Sequence, residues 1–107
     1  MYSFSLKNQF NKVFAVIEYE EEYSFQNLYE KDIFFIKTIW ERYYDDYIFS
    51  IEELKKAKLD LMKYMELDRW ENLSDKDTKN QLQLIYKLIA IISYALENDC
   101  SLYGSGD

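Results

Sequence analysis

The feature that most constrains the fold is the near absence of the residues that make tight turns. The chain has no proline, and its two glycines, Gly104 and Gly106, lie within the last four of its 107 residues. Because proline and glycine supply most of the special backbone angles of turns and hairpins, a fold of many short strands is disfavoured. The composition favours helices joined by short polar loops.

Serines mark the expected starts of these helices. Ser24, Ser50 and Ser74 divide the chain into blocks of about 25 residues, each long enough for a helix of roughly 30 Å. Ser50 and Glu53 have the spacing of a capping box, in which the hydroxyl and the carboxylate each accept a backbone N–H. Ser74 with Asp77 is a weaker version of the same pattern.

Apolar residues recur at helical spacing in every block. The rows are Phe10, Val13, Phe14 and Ile17; Tyr29, Ile33, Ile36, Trp40, Tyr43 and Tyr47; Leu54, Ala57, Leu61, Tyr64 and Met65; and Leu82, Ile85, Ile89, Ile92 and Leu96. These rows predict an all-α fold, an antiparallel bundle of four helices at about 4–21, 25–47, 51–67 and 75–97. We expect a single domain over residues 1–107, with a frayed tail at 99–107.

Helix four is apolar on a second row as well, formed by Leu84, Leu88, Ile91 and Ala95. A helix that is hydrophobic nearly all round is buried. It is therefore either central in the fold or, alternatively, shared with a second copy in a homodimer.

The residue types exclude most enzyme chemistry. There is no histidine and a single cysteine, Cys100, so histidine-activated nucleophiles, imidazole zinc sites and thiolate metal cages are excluded. No glycine-rich phosphate loop is present. Glu18, Glu21 and Glu22 share one helical face, but no calcium-binding loop motif occurs. We expect a protein that is not an enzyme and that holds neither a metal nor a cofactor.

The cysteine count and the apolar runs indicate a cytoplasmic protein. One cysteine allows no disulfide within the chain. The N-terminus lacks the basic and apolar regions of a signal peptide. The most apolar run, residues 82–96, is interrupted by polar residues and is shorter than the roughly 20 residues of a membrane span.

The charge is acidic and regional. Residues 18–32 hold six acids and one base, and residues 33–53 hold five acids and two bases, so these two blocks carry −8 against −7 for the whole chain. Such a field repels nucleic acids and anionic lipids and attracts basic proteins. Two interpretations remain open, general solubility and complementarity to a basic partner.

The acids are predicted at unfavourable places. Glu20, Glu21 and Glu22 fall at the predicted C-terminal end of helix one, and Asp45 and Asp46 fall at that of helix two. A helix C-terminus carries partial negative charge, so an exposed acid there is unfavourable by roughly 0.3–1 kcal/mol. This placement suggests selection for binding rather than for stability, although exposed acids are also tolerated on ordinary surfaces.

Tyrosines single out the second acidic cluster. Trp40, Tyr43 and Tyr47 continue the predicted core row, whereas Tyr44 points to the side, near Glu41. Tyrosine is a common anchor of protein interfaces, and surrounding carboxylates speed association with a basic partner. The predicted partner-binding residues are Tyr44, Asp45, Asp46, Glu41, Glu52 and Glu53 at one pole of the bundle, and Glu20, Glu21 and Glu22, beside Asp75 and Asp77, at the other.

The stretch YYDD, Tyr43 to Asp46, in a small acidic chain without histidine resembles the helical immunity proteins of bacterial toxin–immunity pairs, such as those of colicin nucleases and contact-dependent inhibition systems. The resemblance lies in the composition and these four residues. It implies a protein that binds a basic toxin, a nuclease in particular, and blocks its active site or an adjacent surface. Two alternatives remain: a phage-encoded inhibitor or nucleic-acid mimic acting on a host nuclease or regulator, and a self-associating helical module.

Overall fold

A computed structural model of the chain describes residues 2–8, 12–13, 15–31, 33–42, 45–67 and 75–106. These residues form a four-stranded antiparallel sheet and four α-helices, so the prediction of an all-α bundle is wrong. The elements in chain order are β1 (Tyr2–Leu6), β2 (Ala15–Ile17), a short 3₁₀ helix (Tyr19–Glu21), α1 (Glu22–Tyr29), α2 (Phe34–Glu41), β3 (Tyr47–Phe49), α3 (Ile51–Leu67), α4 (Lys76–Glu97) and β4 (Leu102–Ser105).

The sheet has the strand order β2-β1-β4-β3, so the first and last strands of the chain are neighbours. Phe4 pairs with Gly104 and Leu6 with Leu102, and Phe49 pairs with Leu102 from the other side. The segment 99–107, predicted to be a frayed tail, therefore contains an inner strand of the sheet.

β1 forms because its side chains alternate between apolar residues and serine. In β1, Tyr2, Phe4 and Leu6 are buried on one face, while Ser3 and Ser5 lie on the other. This period of two is that of a strand with one face against the core. Phe35 of α2 stacks on Phe4, with ring centroids 6.4 Å apart, and so packs the helices onto the apolar face.

The missing turn residues do not prevent this sheet because most of its pairings are not hairpins. β1 pairs with β4 from opposite ends of the chain, and β3 pairs with β4 across two intervening helices. Neither connection needs a two-residue turn, which is where glycine is required.

The first two predicted helices are wrong. The region 4–21 contains β1, β2 and the 3₁₀ helix, and the region 25–47 is divided into the end of α1, α2 and the start of β3. The sequence carries no glycine where α1 ends, because the C-cap residue, Glu30, keeps ordinary helical angles of φ −68° and ψ −13°. Ser24, predicted to cap a helix, is buried inside α1.

The third and fourth predicted helices are confirmed. α3 has the predicted bounds, and its capping box forms: the Glu53 N–H donates to Ser50 Oγ and the Ser50 N–H donates to Glu53 Oε1, both at 3.2 Å. α4 begins after Asp75, whose carboxylate accepts the Thr78 N–H at 3.0 Å. Ser74 lies outside the described residues.

The core combines the predicted rows of α3 and α4 with the apolar sheet face. Leu54, Ala57 and Leu61 are fully buried, as is most of the second row of α4, and α4 contacts both α1 and α3. Trp40, predicted to be in the core, is instead 37% exposed and lies against Phe25 of α1. Val13 is exposed, and Phe10, Phe14 and Tyr43 lie outside the described residues.

A two-bond motif ends α4 and directs the chain into β4. The Cys100 N–H donates to the Ala95 carbonyl at 2.9 Å and the Asp99 N–H donates to the Leu96 carbonyl at 3.1 Å. This is the Schellman pattern, which places one residue in the left-handed region, usually glycine. Here that residue is Asp99, with φ 53°.

Candidate functional site

The first acidic cluster lies at the start of α1, not at the end of a helix as predicted. Glu20 and Glu21 belong to the 3₁₀ helix and Glu22 is the first residue of α1. The N-terminus of a helix carries partial positive charge, so acids there are favourable rather than costly. The expected stability penalty is therefore wrong for this cluster.

Glu21 is part of the fold. Its Oε1 accepts the Glu18 N–H at 2.8 Å and pairs with the Lys87 ammonium at 2.6 Å. Lys87 Nζ also donates to the Val16 carbonyl at 3.1 Å, so the side chain ties α4 to β2 and to the start of α1. Of the predicted partner-binding acids, Glu21 is thus engaged inside the chain.

Exposed acids and tyrosines lie close in sequence to the two residues of this ion pair. Glu18 and Glu20 are exposed, Tyr23 is 63% exposed two residues after Glu21, and Tyr86 is 58% exposed one residue before Lys87. We call Glu18, Glu20, Tyr23 and Tyr86 the acidic–tyrosine surface. Sequence reasoning missed both tyrosines, since Tyr23 lies between the first two predicted helices and Tyr86 belongs to neither apolar row of the fourth.

The second acidic cluster lies in the segment between α2 and β3. α2 ends at Glu41, so Asp45 and Asp46 are not in a helical C-terminal turn, and that prediction is wrong. The Asp46 carboxylate accepts the Tyr103 hydroxyl at 2.9 Å and the Ser105 hydroxyl at 3.1 Å, which ties this segment to β4. Asp45 is exposed, whereas Tyr44 lies outside the described residues.

The remaining predicted residues are divided between the fold and the surface. Glu53 also accepts the Tyr47 hydroxyl at 2.7 Å, in addition to its capping bonds, and so holds β3 against α3. Glu52 is exposed in the first turn of α3, where an acid is favourable. Glu41 is exposed at the last position of α2. Since the bundle itself is absent, its two predicted poles do not exist.

Three tyrosines near Asp46 and Glu53 have raised pKa values. The hydrogen bond to Glu53 raises the pKa of Tyr47, and the hydrogen bond to Asp46 raises that of Tyr103. Burial, with the nearby charge of Asp46, raises the pKa of Tyr2. Each phenol therefore keeps its proton at neutral pH, and those of Tyr47 and Tyr103 act as hydrogen-bond donors rather than as activated bases or nucleophiles.

The described ranges contain no group of three or more Asp, Glu or Cys residues arranged to hold a metal ion. Likewise, none of the helices in those ranges combines the length and apolarity that a membrane span requires. Comparison with protein-family models, curated proteins and solved structures found no match to this chain. The functional argument therefore depends on the surface alone.

Proposed function

We propose that the chain is an immunity-type inhibitor that binds a basic toxin, in particular a nuclease, in the cytoplasm. The observation that supports this is the acidic–tyrosine surface, in which two exposed acids and two largely exposed tyrosines are close in sequence to the Glu21–Lys87 ion pair. The proposal involves no catalysis, metal or cofactor. It keeps the function that the resemblance implies but moves the expected contact from Asp45 and Asp46 to the start of α1.

The two residue types in this surface have separate roles in binding. Glu18 and Glu20 attract the partner's lysines and arginines and raise the association rate, an effect that salt weakens. Tyr23 and Tyr86 provide rigid, amphipathic area that can be fully desolvated, as at interface hot spots.

A stable complex needs more surface than these four residues provide. A standard interface covers about 800 Å² on each partner, which is roughly an eighth of the 6678 Å² accessible surface of this chain. The four residues are therefore the centre of the contact and not its whole extent.

The second cluster is the weaker candidate because two of its acids have structural partners. Asp46 bonds to Tyr103 and Ser105, and Glu53 bonds to Tyr47. An interface that drew these carboxylates away would lose the bonds that hold β3 and β4 in place.

The test begins with the partner. The chain is tagged, expressed in its native host and used to recover bound proteins, and the gene immediately upstream is sequenced, since an immunity gene normally follows its toxin. We expect a basic protein encoded there, bound one to one, whose association slows steeply as salt rises. An unrelated upstream gene together with no basic partner contradicts the proposal.

Charge variants then locate the contact on the recovered partner. Glu20→Lys should slow association at low salt, and Tyr23→Ala should weaken binding by about 2 kcal/mol or more if it is a hot spot. Glu66→Lys is the matched control, because Glu66 is also an exposed acid and lies near the C-terminal end of α3. Asp45→Lys tests the second cluster; a loss confined to that variant would reject the acidic–tyrosine surface.

A further inference from the structure

A groove between α2 and α3 has the opposite charge to the rest of the molecule. It has a volume of about 560 Å³, within the range of roughly 300–1,000 Å³ typical of small-molecule sites. Its bases are Lys31, Lys37, Lys56 and Lys63, which are four of the 13 basic residues of the chain. Among the described residues only two acids line it, so this part of the lining is net positive on a protein of charge −7.

The positive charge of this groove acts locally. At physiological ionic strength the Debye length is about 8 Å, so exposed acids elsewhere on the surface are largely screened from a ligand held among the lysines. The four lining lysines therefore influence a ligand inside the groove more strongly than the acidic field of the whole chain does. This favours an anion.

The identity of the basic side chains indicates which class of anion the groove would bind. All four are lysines, and arginine, which suits the planar two-point recognition of carboxylates, is absent from the described part of the lining. Lysine binds phosphate groups as a mobile point charge. A phosphorylated ligand fits this set better than a simple carboxylate.

The other lining residues indicate a ligand with a ring and hydroxyl groups. Phe34 is 37% exposed, and the Lys56 ammonium lies 4.3 Å from the centre of its ring. The exposed part of this ring offers a stacking surface for a flat group. Glu41 and Asp60 add carboxylate oxygens that can accept hydrogen bonds from sugar hydroxyls or an exocyclic amine.

We propose that the α2–α3 groove binds a nucleoside polyphosphate, with the lysines on the phosphates, Phe34 beside the base, and Glu41 or Asp60 on the ribose. This site is independent of the acidic–tyrosine surface. A nucleotide accounts for the lysines, the exposed ring and the two acids together, whereas a bare phosphate or an acidic peptide leaves at least one of these features without a role.

The test is isothermal titration of the whole chain with adenosine triphosphate, adenosine, inorganic tripolyphosphate and an acidic peptide. We expect the triphosphate to bind, and both adenosine and tripolyphosphate to bind at least about tenfold more weakly, since each lacks one half of the contacts. No heat at millimolar triphosphate overturns the proposal. Equal or tighter binding of tripolyphosphate or of the peptide also overturns it.

Variants place the ligand in the groove. Lys56→Gln and Lys63→Gln should each weaken triphosphate binding by about tenfold, because each loses a charged hydrogen bond to phosphate. Lys55→Gln is the matched control, since Lys55 is exposed on the same helix but does not line the groove. Phe34→Leu should weaken the triphosphate while leaving tripolyphosphate unchanged. Equal losses with Lys55→Gln and Lys56→Gln would assign the binding to general charge and overturn the site.

Discussion

Replacing Gly104 by alanine tests the central pairing of the sheet most directly. Gly104 lies in β4 between Phe4 of β1 and Tyr47 of β3. A Cβ atom at this position would come within 2.7 Å of Cε1 and Cζ of Tyr2, and closer still to its hydroxyl oxygen. The glycine is therefore required for space, since its φ is not positive and alanine could adopt the same backbone angles.

The loss of stability depends on whether the Tyr2 ring can move away from the added methyl group. Tyr2 is fully buried and packs edge-on against Phe4, with ring centroids 5.2 Å apart, so the ring cannot turn away without displacing its neighbour. Overpacking of this kind costs typically 1–3 kcal/mol. Alanine recovers about 0.4–1 kcal/mol by restricting the unfolded chain. We expect Gly104→Ala to lower the free energy of unfolding by about 1–1.5 kcal/mol, the difference between these two effects.

Urea denaturation followed by circular dichroism measures this change. Gly106→Ala is the control, because Gly106 lies beyond β4 and has no positive φ, and it should leave stability unchanged or raise it slightly. The same Gly104→Ala change is also made in a Tyr2→Leu chain, where the ring is absent. Its cost there should fall by more than about 1 kcal/mol. An unchanged cost in that background, or a loss below about 0.5 kcal/mol in the native chain, would refute the proposed contact between Gly104 and Tyr2.

Two further predictions concern the end of α4 and alkaline pH. Asp99→Gly should stabilise the protein by about 0.5–1 kcal/mol in urea denaturation, since glycine suits φ 53° and the change removes an acid from a helix C-terminus. Asp99→Asn removes only the charge and should give a smaller gain. A loss of stability with both variants would contradict the left-handed cap at residue 99. The raised pKa values of Tyr47 and Tyr103 mean that these phenols bind their protons more tightly in the folded chain, so their contribution is complete below the unfolded value of about 10 and is lost as pH rises through the folded values. The free energy of unfolding should therefore fall as pH rises above about 10. The fall should be less steep in Asp46→Asn than in the control Asp45→Asn. Identical slopes of this free energy against pH would show that the hydrogen bond from Tyr103 to Asp46 does not contribute.

The parts of the fold that could be predicted are those set by local signals. α3 was predicted with its bounds because the capping box of Ser50 and Glu53 and the row Leu54, Ala57 and Leu61 all lie within one helix. Such signals need no knowledge of which segments meet in space.

The sheet could not be placed because its partners are distant in sequence. The alternation in YSFSL and LYGS is visible in β1 and β4, but each run is only four or five residues long, and the two pair with each other from opposite ends of the chain. The chain turns were hidden for a related reason. α1 ends at Glu30 with helical angles, and the left-handed position after α4 is filled by Asp99, so neither turn required a glycine.

The structure changes the candidate site because the position of a helix boundary decides whether the helix dipole stabilises or destabilises a nearby acid. Glu20 to Glu22 were predicted to end a helix and in fact begin one. The helix dipole therefore stabilises these three acids instead of destabilising them. The inference that they were selected for binding at the expense of stability no longer applies.

Acids at helix C-termini do occur in this chain, at different residues. Glu30 caps α1, Glu41 and Glu97 are the last residues of α2 and α4, and Glu66 lies in the last turn of α3; all four are exposed, and no base lies in the last turn of any of these helices. Because the penalty of roughly 0.3–1 kcal/mol each is spread over all four helices, it marks a property of the whole surface and not one site. Acids spread in this way can attract a basic partner but do not determine which face of the protein it binds. The choice of face must then come from side chains that are few and large, and this is why Tyr23, beside the acids at the start of α1, carries more of the binding argument than any single carboxylate.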